Sequence, residues 1–206
     1  LFKHKIMEKI KLPHGNSWII VIHNIDPRIR MSDEQYQEIW NMKPQKRAHG
    51  KMFGKEIDFP RWHATFGQTY KFKGMKEDAT EITHPYLKKI MKWVRGHSGT
   101  LYGERQNYRQ LLVNWYGNGD DYIGAHTDAE STLKDNSAIY SFSFGQKRDF
   151  VVKSNDKTYR KVIKMQHNSL IIMGGEMQKY YKHSVPKRTT KTCNKSRINM
   201  TMRLFK

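Results

Sequence analysis

The stretch Arg197-Ile198-Asn199-Met200-Thr201-Met202-Arg203 constrains the fold more than any other part of this 206-residue chain. It alternates polar and apolar side chains over seven positions. Successive side chains of a strand point to opposite faces, so Ile198, Met200 and Met202 share one face and Arg197, Asn199, Thr201 and Arg203 the other. The apolar face suits a core. The other face carries two guanidiniums, and a guanidinium turned inward needs an anionic partner because an unpaired buried charge is costly. A dicarboxylate would supply two such partners, each held by bidentate hydrogen bonds. The alternative is an edge strand with a solvated basic face, where lysine would serve equally well.

The chain around this strand reads as α+β, with helices first and strands afterwards. Residues 17–23 form a short apolar run expected to be a strand. Ser32-Asp33-Glu34-Gln35 has the form of a capping box, predicting a helix that stops before Pro44. Thr83 and Pro85 signal a second helix with the stripe Leu87, Ile90, Met91 and Val94, and Gly96 suits its end. From about Gln110, short runs rich in aromatic and β-branched residues follow, punctuated by Gly, Asn and Asp: 110–116, 138–144, 149–153, 158–165, 169–173, 179–185 and 197–205. This spacing suggests a barrel or a double-sheet jelly roll buttressed by the helices on one face. No internal repeat or Gly/Ser linker divides the chain, so one domain is expected over 1–206, with about 1–109 as the helical buttress and about 110–206 as the jelly-roll core.

Composition narrows the classes. No stretch approaches the ~18 apolar residues of a membrane span. The single cysteine, Cys193, excludes an internal disulfide framework and fits a reducing compartment. The basic opening lacks the apolar segment of a signal peptide, and a start on Leu1 rather than Met is expected of a trimmed or processed form. Lys and Arg number 38 against 19 Asp and Glu, a formal net charge of +19 that favours polyanionic partners. The excess is uneven: no acid follows Glu176, whereas nine Lys/Arg do, and residues 147–164 hold seven bases against two acids.

His126-Thr127-Asp128 places an imidazole and a carboxylate two residues apart, on one face if the segment is a strand. With ten His and ten Asp in 206 residues, about half a match is expected by chance, so the pair alone is a weak signal. His183, on a later expected strand, completes a two-His, one-carboxylate set. That set suits non-haem Fe(II), and Zn(II) remains a competitor by ligand type.

Taken in order, Asn114-Trp115-Tyr116, His126-Thr127-Asp128, His183 and Arg197 to Arg203 resemble the AlkB family of Fe(II)/2-oxoglutarate dioxygenases, in its DNA-repair branch. The resemblance covers roughly residues 50–205. It implies a double-stranded β-helix, or jelly roll, with a nucleotide-recognition lid. It implies that His126, Asp128 and His183 ligate iron, that Arg197 holds the distal carboxylate of 2-oxoglutarate, and that Asn114, Tyr116, Asn199, Thr201 and Arg203 complete that site. With O₂, the family removes N-methyl groups such as those of 1-methyladenine and 3-methylcytosine, releasing formaldehyde, succinate and CO₂. Arg61-Trp62-His63-Ala64-Thr65-Phe66-Gly67 and Thr69-Tyr70-Lys71-Phe72 resemble the lid. There Phe72 matches a base-stacking aromatic, Tyr70 a pocket-edge tyrosine, Glu130 an acid contacting the base edge and Phe53 a wedge filling the gap left by an extruded base. Such extrusion costs a few kcal/mol, which an apolar wedge helps to offset.

The expected partner is therefore DNA, with RNA as the alternative, since phosphate attraction is common to both. A monomer is expected, and a nuclear location follows from the substrate class. The competing functional class is a basic jelly-roll module that binds nucleic acid without catalysis; the complete ligand set and both arginines weigh against it.

Overall fold

A computed structural model of the chain describes residues 7–52, 55–72, 75–128 and 132–206. Its N-terminal part contains β1 (Met7–Lys11), β2 (Ser17–Ile22), α1 (Asp33–Asn41), β3 (His49–Met52), β4 (Lys55–Asp58), β5 (Trp62–Gly67), β6 (Tyr70–Phe72), β7 (Met75–Glu77) and α2 (Pro85–Tyr102). There follow β8 (Gln110–Tyr116), β9 (Ile123–His126), β10 (Ile139–Gly145), β11 (Arg148–Ser154), β12 (Arg160–Met165), β13 (Ser169–Gly175), α3 (Met177–Tyr180), β14 (Tyr181–Val185) and β15 (Arg197–Arg203). The major sheet runs β1-β2-β13-β10-β15-β8-β5, and the minor sheet runs β12-β11-β14-β9. Two antiparallel hairpins, β3-β4 and β6-β7, stand apart from both. Two facing antiparallel sheets with helices on one side match the expected jelly roll.

The period of two in β15 sorts the interior into two compartments. Ile198, Met200 and Met202 join Tyr140, Phe142 and Phe144 of β10 in a core with Leu87, Ile90, Met91 and Val94 of α2. A second core lies between the sheets, where Ile171 and Met173 of β13 meet Phe150, Val152 and Ile163. Each fully buried aliphatic or aromatic side chain stabilises by about 1.5–3 kcal/mol. The polar face of β15 looks into the inter-sheet space, alongside Ser141 and Ser143 of β10.

The capping box forms as expected. Ser32 Oγ accepts from the Gln35 backbone N–H at 3.2 Å, and Gln35 Oε1 accepts from the Ser32 N–H at 3.1 Å. The second helix differs from its sequence signals. His84, not Thr83, caps it, with Nδ1 accepting from the Tyr86 N–H at 3.2 Å. The helix also runs through Gly96 and stops at Gly103, whose φ of 76° is left-handed. Gly96 lies on the solvent face while Ser98 continues the buried stripe, so packing outweighs the helix penalty of about 1 kcal/mol for glycine.

The N-terminal half is richer in strands than the sequence indicated. β1 and β2 extend the major sheet beyond β13, and β5 closes its other edge against β8. The segment expected as a strand over 179–185 begins instead as the helical turn α3, and β14 starts at Tyr181.

Candidate active site

Strands β9 and β14 pair so that His126 lies directly opposite His183, with ring centroids 4.3 Å apart. Asp128 lies two residues beyond the end of β9 rather than on it. It nevertheless closes the set: its Oδ1 is 3.8 Å from His126 Nε2 and its Oδ2 is 3.8 Å from His183 Nε2. One donor atom from each residue falls within 4.8 Å of the other two. Two interactions hold Asp128 off the strand. Arg203 Nη2 donates to its Oδ1 at 2.9 Å, and its backbone N–H donates to Gln178 Oε1 of α3 at 2.9 Å.

The hydrogen bonds fix which nitrogen faces inward. His126 Nδ1 is 2.8 Å from the Gly124 carbonyl, which only accepts, so the proton sits on Nδ1 and the Nε2 lone pair faces Asp128. The ring of His183 stacks on Phe150, with centroids 5.4 Å apart and planes 20° apart. Burial pushes His183 down to about 3, with His126 adding to the shift, and burial likewise lowers His126. Burial alone would raise the Asp128 carboxyl; the Arg203 guanidinium and the two imidazoles reverse this and hold it well below the usual carboxylate range. Two neutral imidazoles and an ionised carboxylate are the protonation states that ligate a cation. Asp128 Oδ2 is buried with no hydrogen-bond partner among the described residues, as a group awaiting an ion would be. The donor set and its protonation fit Fe(II).

The wall beside these ligands comes from paired strands. In the β8–β15 register Arg197 faces Tyr116, Asn199 faces Asn114, and Arg203 faces Gln110. Arg197 is 2% exposed. Its Nη2 donates to Ser143 Oγ at 2.8 Å and its guanidinium lies 5.0 Å from the Tyr116 ring centroid, while Nε and Nη1 are buried without partners among the described residues. Asn199 Nδ2 donates to Ser141 Oγ at 2.9 Å and to the Phe142 carbonyl at 2.7 Å, and Asn199 Oδ1 accepts from Thr201 Oγ1 at 3.1 Å. The two arginines therefore differ. Asp128 already supplies the counter-charge of Arg203, whereas no acid among the described residues pairs with Arg197. The expectation that a diacid satisfies both guanidiniums is corrected to that extent. A buried guanidinium with two unpaired nitrogens fits a carboxylate such as that of 2-oxoglutarate.

Among the expected nucleotide contacts, Arg61 Nε donates to Asn114 Oδ1 at 2.8 Å, which ties the residue before β5 to this wall. Tyr70 and Phe72 lie on β6. Phe53 and Glu130 fall outside the described residues.

Several contributors were not legible in the sequence. Gln178 holds Asp128, and Ser141 and Ser143 anchor Asn199 and Arg197. Arg148, 3% exposed, donates to the carbonyls of Asn118, Asp121 and Pro186 at 2.8–3.0 Å, tying the loop before β9 to the end of β14. Thr65 Oγ1 and both amide atoms of Gln110 are buried without partners among the described residues. The registers put them on the same face as Asn114 and Arg203. The only sequence signal for these groups was polarity inside strand-like runs.

A profile of the 2OG-Fe(II) oxygenase superfamily matches residues 23–203, a span that includes every ligand and wall residue above. The chain belongs to this superfamily. Membership implies Fe(II) and 2-oxoglutarate, and the His126-Asp128-His183 set is one that could hold a metal ion. DNA oxidative demethylase ALKBH2 of Homo sapiens is 34% identical over 167 residues, covering 76% of this chain and 60% of that protein. The Homo sapiens alpha-ketoglutarate-dependent dioxygenase alkB homolog 3 is 29% identical over 185 residues, covering 85% of this chain and 62% of that protein. The chain thus spans about three-fifths of the length of these relatives. These names bear out the AlkB resemblance. The solved structure of OsALKBH1 superposes with a TM-score of 0.61 at 17% identity, covering 96% of this chain and 100% of that one, and shows the shared fold.

Proposed function

We propose that this chain oxidatively demethylates N-alkylated bases in DNA, such as 1-methyladenine and 3-methylcytosine, as a single domain over residues 1–206. Fe(II), O₂ and 2-oxoglutarate would supply the oxidising chemistry, with formaldehyde, succinate and CO₂ as products. His126, Asp128 and His183 hold the metal. Arg197 binds the distal carboxylate of 2-oxoglutarate through its open nitrogens, and Asn114, Tyr116, Asn199 and Thr201 shape the slot between. Arg203 keeps Asp128 ionised and oriented, and Arg148 fixes the loops that flank the two ligand strands. The lid residues Arg61, Tyr70 and Phe72, with Phe53 as wedge and Glu130 at the base edge, present the extruded base. The unpaired polar atoms of Thr65 and Gln110 suit a ligand with hydrogen-bonding groups on its edge.

The observation that carries the reading is the conjunction of a buried His-Asp-His set with a buried, incompletely paired Arg197 on the adjoining wall. A nucleic-acid-binding module has no use for that pair of features. The names of the relatives above, DNA oxidative demethylase among them, support the choice of substrate.

The test is mass spectrometry of methylated single-stranded and duplex DNA, and of methylated RNA, incubated with the chain, Fe(II), ascorbate and 2-oxoglutarate. Loss of one methyl group per lesion on DNA is expected, abolished by His126→Ala. Conversion that survives His126→Ala, or conversion of RNA alone, overturns the assignment.

A further inference from the structure

Helix α2 carries Lys88, Lys89, Lys92 and Arg95 and no acidic residue across its eighteen positions. Like charges three or four residues apart repel, and Lys88–Lys92, Lys89–Lys92 and Lys92–Arg95 are all so spaced. Lys88 and Lys89 also lie toward the positive, N-terminal end of the helix dipole. The helix keeps a charge pattern that opposes its own stability, which a polyanionic partner would relieve.

The charge lines a concave surface. An open groove of about 880 Å³ is bordered by Arg28, Lys89, Lys92, Arg95 and Arg105, with Asp26 as the acid among its lining residues. Asp26 is engaged by Arg28, at 3.0 Å through Nε and 2.6 Å through Nη2. Arg95 is committed to the Tyr108 carbonyl at 2.7 Å. Lys89, Lys92 and Arg105 are exposed, and none makes an ion pair with an acid among the described residues.

The groove lies across the major sheet from the candidate active site. Its Trp93 meets the edge of Phe142 at 6.0 Å, and its His97 Nδ1 is 3.1 Å from the Tyr140 hydroxyl. Ser141 and Ser143, which alternate with those β10 residues, face Asn199 and Arg197 on the other side. Nucleotides in the groove are therefore not the ones presented to the ligand set.

We propose that this groove is a second nucleic-acid site that binds the phosphate backbone of a segment distinct from the one being presented to the active site. Lysine and arginine contacts to phosphate carry affinity without sequence information. Occupying both faces would raise the effective concentration of the chain along one nucleic acid. The inference goes beyond the demethylase reading and concerns binding, which needs neither iron nor turnover.

The test is fluorescence anisotropy of the intact chain with a labelled, undamaged duplex of about 30 base pairs, without iron, between about 50 and 200 mM KCl. Each phosphate that a cation neutralises adds about 0.9 to the slope of log K against log[KCl]. The triple variant Lys89→Ser, Lys92→Ser, Arg105→Ser is therefore expected to lower that slope by about two to three and to weaken binding at least tenfold. A second triple variant, Lys9→Ser, Lys11→Ser, Lys157→Ser, removes the same charge from exposed positions elsewhere and is expected to change the slope by less than about one. Equal losses in the two variants would show that net charge alone acts and would overturn the proposal. So would a groove variant that keeps DNA affinity but loses binding to phosphatidylserine vesicles. A methylated trinucleotide, too short to reach both faces, should be turned over equally by the groove variant and the unaltered chain. Loss of that turnover would place the groove in the reaction site and refute a separate one. Because the binding arm uses undamaged DNA without iron, failure of the demethylase reading leaves it decisive.

Discussion

The Asp128–Arg203 pair offers the sharpest test of how this site is built. Asp128 and Arg203 side chains are 2% and 5% exposed, and their nearest N and O atoms are 2.9 Å apart. At an effective dielectric of about 20 the gross attraction at that distance is about 6 kcal/mol, much of which offsets desolvation of the two ions. Removing one partner leaves the other charge buried and uncompensated, at a cost of about 3–5 kcal/mol. For a chain of this size that is a fall in Tm of roughly 6–20 °C. Arg203→Met and Asp128→Asn in the metal-free protein should each show this loss, while the double variant should lose far less than their sum, giving a coupling of about 3 kcal/mol. Urea denaturation followed by fluorescence of the five tryptophans measures the cycle. Mn(II) should restore part of the loss in Arg203→Met, because a bound cation replaces the missing positive charge, and should do little for Asp128→Asn. Additivity within about 0.5 kcal/mol, or equal stabilisation of both single variants by Mn(II), would refute the reasoning.

His183 is held down to about 3 and His63 to about 4, each by burial first, so an unfolded chain takes up protons before the folded one as pH falls below about 6.5. The urea midpoint of the metal-free protein should therefore be highest above pH 6.5 and fall steadily toward pH 4, by up to about 1.4 kcal/mol per pH unit from each histidine; a flat midpoint over that range would show that these imidazoles are not held neutral. Arg197→Lys should raise the half-saturating 2-oxoglutarate concentration about 10- to 100-fold, the worth of a charge-assisted hydrogen bond, and an unchanged value in a titration of succinate formation would remove Arg197 from that role. Gly96→Ala should stabilise by about 0.5–1 kcal/mol, since the position is helical and solvent-facing and an added Cβ meets nothing within 4 Å; a lower Tm in calorimetry would contradict this. Gln110→Leu removes two buried, unpaired amide atoms and should raise stability by about 1–3 kcal/mol while lowering demethylation; a loss of both would mean the amide has a structural partner.

Much of the architecture was legible because alternation survives folding. The strand over Gln110–Tyr116 has the expected limits; that expected over 197–205 ends at Arg203, and its faces divide as its pattern required. The capping box at Ser32 likewise depends on neighbours only three residues apart. What escaped depends on contacts between distant segments. Nothing local in Trp62–Gly67 says that this run completes the major sheet, since its partner is the distant β8; Met7–Lys11 pairs with the neighbouring β2 but is mostly exposed, so no buried apolar run marks it. The backbone at Asp128 leaves the strand because Arg203 and Gln178, each at least fifty positions away, hold it there. His-x-Asp spacing on an ideal strand brought the candidate donors together through a geometry that is only half present.

The two faces of the major sheet make the functional argument from physics alone. On the helix side, Tyr140, Phe142, Ile198, Met200 and Met202 are buried among apolar neighbours. On the inter-sheet side, the same two strands place Ser141, Ser143, Arg197, Asn199, Thr201 and Arg203, almost as deeply buried. Apolar residues at those positions would cost less, because each buried polar atom without a partner costs about 1–3 kcal/mol. Arg197 Nε and Nη1, Thr65 Oγ1, both amide atoms of Gln110 and Asp128 Oδ2 are buried without hydrogen-bond partners among the described residues, and all belong to this one space. A wall of cation and amide donors beside a carboxylate and two neutral imidazoles is stable only in proportion to what fills it. The same arrangement that makes the empty protein weaker suits it to an ion and a diacid, so ligand-dependent stability and activity should rise and fall together across variants of this wall.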